Sequence, residues 1–347
     1  MASLSVIRSS ANPWERSIWD FDLVQVGGRP LIVCADSSGS VYTWDPLEDR
    51  WGSYQLDMPF RPEDSYDFID VYAIGAVVLD GRIVVGGGSD HQPFAQWDLE
   101  TGAVEISADT THAALGKVIG IEMDGRPMLV GADQSTSPRV RVYDVERREM
   151  YAELLGAHLD GIGALASGTL GERPVLLSSS WDGSVELWDL REKRSLVQSA
   201  KTGPSLMGAA LVPVNGRPRI VGAEGEAVWL VDPETGEEDE ALAWPAEITE
   251  RIEEGEFEDD FTCIDAGLVG GRPVAVTGSE EGRVCAWDLE EGRIIGEPLI
   301  EHEGEVSTVR LTDLDGRTVA ITAGRDGQVS LWDLQLLQIA AAPSHSR

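Results

Sequence analysis

Residues 179–190 read SSWDGSVELWDL and hold the dipeptide Trp-Asp twice, at Trp181-Asp182 and at Trp188-Asp189. The second copy closes an alternating run, SVEL, of the kind that makes a strand. Endings of the same form recur as VYTWDP at Trp44, FAQWDL at Trp97, VRVYDV at Tyr143, VWLVDP at Val231, VCAWDL at Trp287 and VSLWDL at Trp332. With Trp188 that makes seven slots, 43 to 56 residues apart. Trp181-Asp182 is outside the series and falls in a turn before Gly183.

A second marker runs ahead of the first. Arg29, Arg82, Arg126, Arg173, Arg217, Arg272 and Arg317 each follow a Gly-rich pair such as Gly-Gly, Asp-Gly or Asn-Gly. Such pairs make two-residue hairpin turns, because both positions tolerate positive φ. Pro follows five of these arginines, at a strand start where its missing N–H costs little. Short apolar runs come next, for example LIVCA, VLLSS and VAITA. They do not alternate, so these strands are expected to be buried on both faces. A further turn, the strand with the slot, and a more polar strand complete four antiparallel strands per copy. One such sheet cannot shield both its faces. Seven packed radially can, with only short edges left over. The expected fold is therefore an all-β, seven-bladed propeller.

Composition narrows the chemistry. The chain has 347 residues and a net charge of -34, from 61 acids against 27 bases. Nucleic acid is an unfavourable partner for such a chain, because its phosphates would be repelled. The apolar runs are too short to span a bilayer, and the first residues lack a basic-then-apolar signal pattern. Three scattered cysteines, Cys34, Cys263 and Cys285, fit neither a disulfide framework nor a zinc cluster. A cytoplasmic location is expected, with no metal and no cofactor. No GxxxxGK[ST], HExxH or CxxC motif is present.

The repeat resembles the WD-repeat β-propeller family. In that family a His before the first strand, a Ser or Thr in the second, an Asp in the tight turn and a Trp in the third form a hydrogen-bonded tetrad. Copy four matches with His158, Ser178, Asp182 and Trp188, and copy seven with His302, Thr322, Asp326 and Trp332. The spacing is 20, then 4, then 6 in both. Ser178, His158 and Asp182 also have the residue types of a nucleophilic triad. Their recurrence with identical spacing in copy seven favours the structural role. Copy six has Glu281 in place of Asp, and copies three and five replace Trp with Tyr143 and Val231, so these blades are expected to hold by packing. The resemblance further implies one domain over 1–343, with blades near 17–59, 69–108, 117–157, 161–200, 205–244, 261–301 and 305–335. Residues 4–10 are expected to close the ring, with 336–342 as the competing segment, and 344–347 form a disordered tail.

The resemblance places the hairpin arginines on one face, the bottom. Long connections and turn tips lie on the other, the top. Two insertions fall in top connections, 57–70 and 237–260, and the second holds a short helix signal from Pro245 to Gly255. Aromatic and charged residues gather there: Trp14, Phe60, Tyr66, Trp181 and Trp244, with Asp259 and Asp260, and the turn-tip residues His91, Glu280 and Arg325. Aromatics beside carboxylates suit a cationic partner. The expected function is a non-catalytic scaffold that binds a protein, a basic peptide or a cationic small ligand. The alternative is an enzyme using general-acid or cation-stabilising chemistry on a small molecule, with its site at the top mouth of the central channel under the two insertions. On the bottom face the seven arginines are expected to pair with the slot aspartates rather than to hold an anion.

Overall fold

The computed structural model describes residues 4–36, 40–56, 71, 73–89, 92–106, 115–198, 208–237, 239, 241–242, 244, 248, 259–314 and 316–334. Its strands form seven antiparallel sheets, one for each copy of the repeat. The chain is an all-β, seven-bladed propeller. Within each sheet the strands lie in chain order, except where the N-terminal strand joins the last one. That strand, Ser5–Ala11, pairs with Gln328–Asp333, with Ser5 opposite Asp333 and Ala11 opposite Gln328. It is the outer strand of the seventh sheet, as expected for residues 4–10. The competing segment 336–342 and the tail lie outside the described residues.

The sheets gather in two compact units, Asn12–Leu206 and Met1–Ala11 with Met207–Arg347. In the first unit, the Asp22 carboxylate in the first strand of blade 1 ties three sheets together. Its Oδ2 accepts the backbone N–H of Ala76 at 2.8 Å and of Gly120 at 2.7 Å. These strands approach so closely that a Cβ on Gly120 would collide with the Ala76 carbonyl. In the second unit, Asp265 has the equivalent place in blade 6, four residues before its first strand ends. It accepts the Leu311 N–H at 2.7 Å, and burial pushes its carboxyl up.

The non-alternating apolar runs are buried on both faces, as in Val175–Ser180, where every residue is inside. Trp44, Trp97, Trp188, Trp287 and Trp332 are among the largest fully buried side chains. Two-residue hairpins join the first two strands. At Asn215-Gly216 both residues have positive φ, 51° and 74°, as a type I′ turn requires.

Blade 5 departs from the pattern. Only three regular strands are described, Gly208–Val214, Arg217–Glu224 and Ala227–Val231. Beside the third, the N–H groups of Asp239 and Leu242 donate to Leu230 and Val228 at 2.8 and 2.9 Å. An irregular run therefore stands where a fourth strand would. Of the helix expected from Pro245 to Gly255, Ile248 alone is described, and it is helical.

The slot aspartate does two jobs at the hairpin end of a blade. In Asp189, Oδ1 accepts the N–H groups of Arg191 and Glu192 at 2.9 and 2.8 Å and caps the turn. Its Oδ2 lies 3.2 Å from Arg173 Nε. Asp98 with Arg82, Asp144 with Arg126 and Asp288 with Arg272 repeat the pairing, and Arg29 divides itself between Asp45 and Glu48. Blade 5 uses Arg219 instead, 2.5 Å from Asp232. Arg217 and Arg317 make no ion pair among the described residues. Arg173 is half exposed, so its pair contributes roughly 0–1 kcal/mol.

Candidate functional site

At the other end of blade 4, a chain of hydrogen bonds runs inward from the tight turn. The Trp188 indole N–H donates to Ser178 Oγ at 2.9 Å. Ser178 is 2.8 Å from His158 Nε2, so its hydroxyl donates to the ring. Nδ1 of His158 is 2.6 Å from Ser184 Oγ, which donates to Asp182 Oδ1 at 2.5 Å. Ser184 thus stands between the histidine and the aspartate, a relay absent from the four-residue pattern. Burial lowers the His158 pKa to about 4, against a smaller opposing pull from Asp182, so the ring is neutral at pH 7. Burial works to raise Asp182. Hydrogen bonds from Ser184, Ser180 and the Leu159 backbone outweigh it and hold the carboxyl below the usual range.

Blade 7 builds the same chain without the relay. Trp332 donates to Thr322 Oγ1 at 2.9 Å, and Thr322 lies 2.8 Å from His302 Nε2. His302 Nδ1 meets Asp326 directly, 3.2 Å from Oδ1. Gln328 occupies the place of Ser184 and donates its backbone N–H to Asp326.

In blade 7 the hydroxyl, imidazole and carboxylate connect as in a hydrolase, and in blade 4 they connect through Ser184. Yet Ser178 and Thr322 are 0% exposed, and each oxygen already accepts an indole N–H. No substrate carbonyl can approach them.

Other blades are fastened differently. Cys34 stands in blade 1 where Ser178 stands in blade 4, and the Trp44 indole turns to Asp49 at 2.9 Å. Tyr42 then donates to Asp36 at 2.9 Å. Blade 3 corrects the expectation of packing alone: Arg141 Nη1 pairs with Asp133 at 2.5 Å, and both are buried. An ion pair so far from water needs such geometry, since the desolvation of each charge must be offset. Burial pushes the Asp133 carboxyl up, against the pull of Arg141.

Each expected binding residue can be placed where it is described. Phe60, Tyr66 and His91 lie outside the described residues. Trp14 is 44% exposed and stacks on Tyr42, with ring centroids 5.2 Å apart and planes at 25°. Its backbone N–H is held by Asn12 Oδ1 at 2.9 Å. Trp181, 38% exposed, covers Gly161: a Cβ there would meet the ring at 3.1 Å. In the other unit Trp244 is half-buried, not a free platform. It stacks on Phe261 and meets Trp287 edge-on at 4.8 Å, and its indole donates to Glu226 O. Asp259, expected at the surface, is interior. It accepts from Ser279 at 2.7 Å and from the Glu281 N–H at 2.9 Å, and pairs with Arg283. Two carboxylates adjacent in sequence part here because the first faces the Arg283 guanidinium. Asp260 and Glu280 remain exposed and are joined by a backbone hydrogen bond of 3.0 Å. Arg325 is paired with Glu305 at 3.3 Å. Among the described residues no three His, Cys, Asp or Glu side chains gather as metal ligands.

Sequence reasoning overlooked two exposed leucines in the connection from blade 3 to blade 4. Leu155 ends the fourth strand of blade 3 and is 67% exposed; Leu159, in the loop that follows, is 61% exposed. The signal was available. Copy seven carries Glu303 where copy four carries Leu159, and Arg325 where it carries Trp181.

The family described as WD domain, G-beta repeat matches residues 152–189 and 294–333. These two spans contain both complete tetrads. No curated protein matches the chain.

Proposed function

The chain is a WD-repeat β-propeller, and we propose that it serves as a non-catalytic platform for a basic protein or peptide. One observation carries this reading: Trp14 and Trp181 are exposed aromatics on turns fixed by backbone hydrogen bonds, in a chain of net charge -34. Aromatic rings held rigid lose little entropy on binding and attract Arg and Lys side chains over their faces. The surrounding excess of carboxylates favours the same partners and speeds their encounter.

The platform is tested with labelled peptides of matched length, one set rich in Arg and Lys and one rich in Asp and Glu. Binding to the full chain is followed by fluorescence anisotropy at low and physiological salt. Basic peptides are expected to bind, more weakly as salt rises, and Trp14→Ala or Trp181→Ala is expected to weaken them several-fold. Equal binding of both sets, or of neither, would overturn the proposal.

A further inference from the structure

We infer that Leu159 and Trp181 form one docking spot, and that it takes a bulky apolar side chain carried on a basic segment of a partner protein. The inference rests on the platform reading and adds to it a place and a second chemistry.

The loop that carries the spot is pinned along its length. Ala157 N–H donates to Glu186 Oε1 at 2.8 Å, and His158 is the tetrad histidine. Leu159 N–H donates to Asp182 Oδ2 at 2.6 Å. The Asp160 carbonyl accepts from Ser180 Oγ at 2.8 Å, and the Gly161 carbonyl from Trp181 N–H at 2.9 Å. Gly156 is packed so closely on the Glu186 carboxylate that a Cβ would collide with it. The exposure of Leu159 is therefore a property of a built loop.

Blade 7 supplies the internal control. Its loop has the same frame: Glu303 N–H donates to Asp326 Oδ2 at 2.9 Å, and Arg325 N–H to Glu305 O at 2.9 Å. There the two positions are a carboxylate and a guanidinium, the latter paired with Glu305. The backbone does not require apolar side chains at these places. Blade 4 nonetheless presents a leucine and a tryptophan on these two segments, which the bonds from Leu159 N–H to Asp182 and from Trp181 N–H to Gly161 O hold together. Large apolar side chains left exposed on neighbouring turns favour a partner that covers them.

The charge of the occupant follows from its neighbours. Asp160 is exposed between Leu159 and Gly161, and its Oδ1 holds only the Gly161 N–H at 2.8 Å. An acidic segment would meet this carboxylate and the -34 of the whole chain. A second copy would bring the same charge, so a basic partner is the better fit.

Two labelled peptides distinguish the spot from the platform: a Lys/Arg-rich sequence with one central Leu, and the same sequence with Ser there. They are titrated against the full chain and against the double variant L159E/W181R, which installs the residues of blade 7 on an equivalent backbone. An unchanged melting temperature establishes that the variant is folded; a single L159E variant serves as well if it is not. The Leu peptide is expected to bind at least ten-fold more tightly than the Ser peptide, and the variant to erase that preference. If both peptides bind the wild type alike, the spot is refuted while the platform stands. If neither binds, both fall. A concentration-dependent dimer in sedimentation, abolished by L159E/W181R, would make the occupant a second copy and overturn the inference.

Discussion

Blades 4 and 7 share a frame and differ in what they show to solvent. In each, a Trp, a hydroxyl and an imidazole lead to an aspartate that caps the tight turn. In blade 4 the link passes through Ser184; in blade 7 it is direct. On the same turn, blade 4 carries Trp181 and blade 7 carries Arg325. The interior fixes the backbone, which leaves the exposed positions free to take contrasting chemistries.

The strongest way to break this equivalence is to remove the central hydroxyl. Ser178→Ala and Thr322→Val each leave a buried indole N–H and an imidazole nitrogen without a partner. Each is expected to cost about 2–4 kcal/mol in urea unfolding of the full chain. A loss confined to one variant would show that the two chains of hydrogen bonds are not alike.

Acid offers a second probe. The folded-state pKa of His158, about 4, lies below its ordinary value of 6.5. The unfolded chain therefore takes up the proton first. The stability contributed by the neutral ring is fully present above pH 6.5 and is lost as pH falls toward 4, to about 3 kcal/mol. In an NMR titration the His158 ring should stay neutral until near pH 4; titration near 6.5 would contradict the buried environment.

The relay itself gives the smallest effect. Ser184→Ala removes the bridge in blade 4 and is expected to cost about 1 kcal/mol. Gln328→Ala should cost under about 0.5 kcal/mol, because His302 reaches Asp326 without it. Equal losses in melting experiments would mean that Ser184 adds nothing to the chain.

Much of the fold was legible because it rests on contacts at fixed spacing. The Arg-to-slot interval becomes a pairing of Arg173 with Asp189, and the interval from His158 to Ser178 becomes a hydrogen bond. The substitutes in less regular blades were not legible. Arg141 with Asp133, and Arg283 with Asp259, read in sequence as ordinary charged residues of a strand and a loop. Only the folded packing shows that Arg141, Asp133 and Asp259 are buried. The candidate site was legible in kind and less so in detail. Trp14 and Trp181 are exposed, but the Trp244 ring is occupied by Phe261 and Trp287. An aromatic in an insertion has no period to reveal which side it packs on. Leu155 and Leu159 were passed over because leucine in a β protein reads as core.

Pairing of Ser5–Ala11 with Gln328–Asp333 has a consequence for biosynthesis. The earlier strand waits for a partner more than three hundred residues further along the chain. Until the last repeat leaves the ribosome, Leu4, Val6 and Ile7 have no sheet to join. The clasp is thus a late event of high contact order, and slow to form. Loss of either strand would strike one and the same blade.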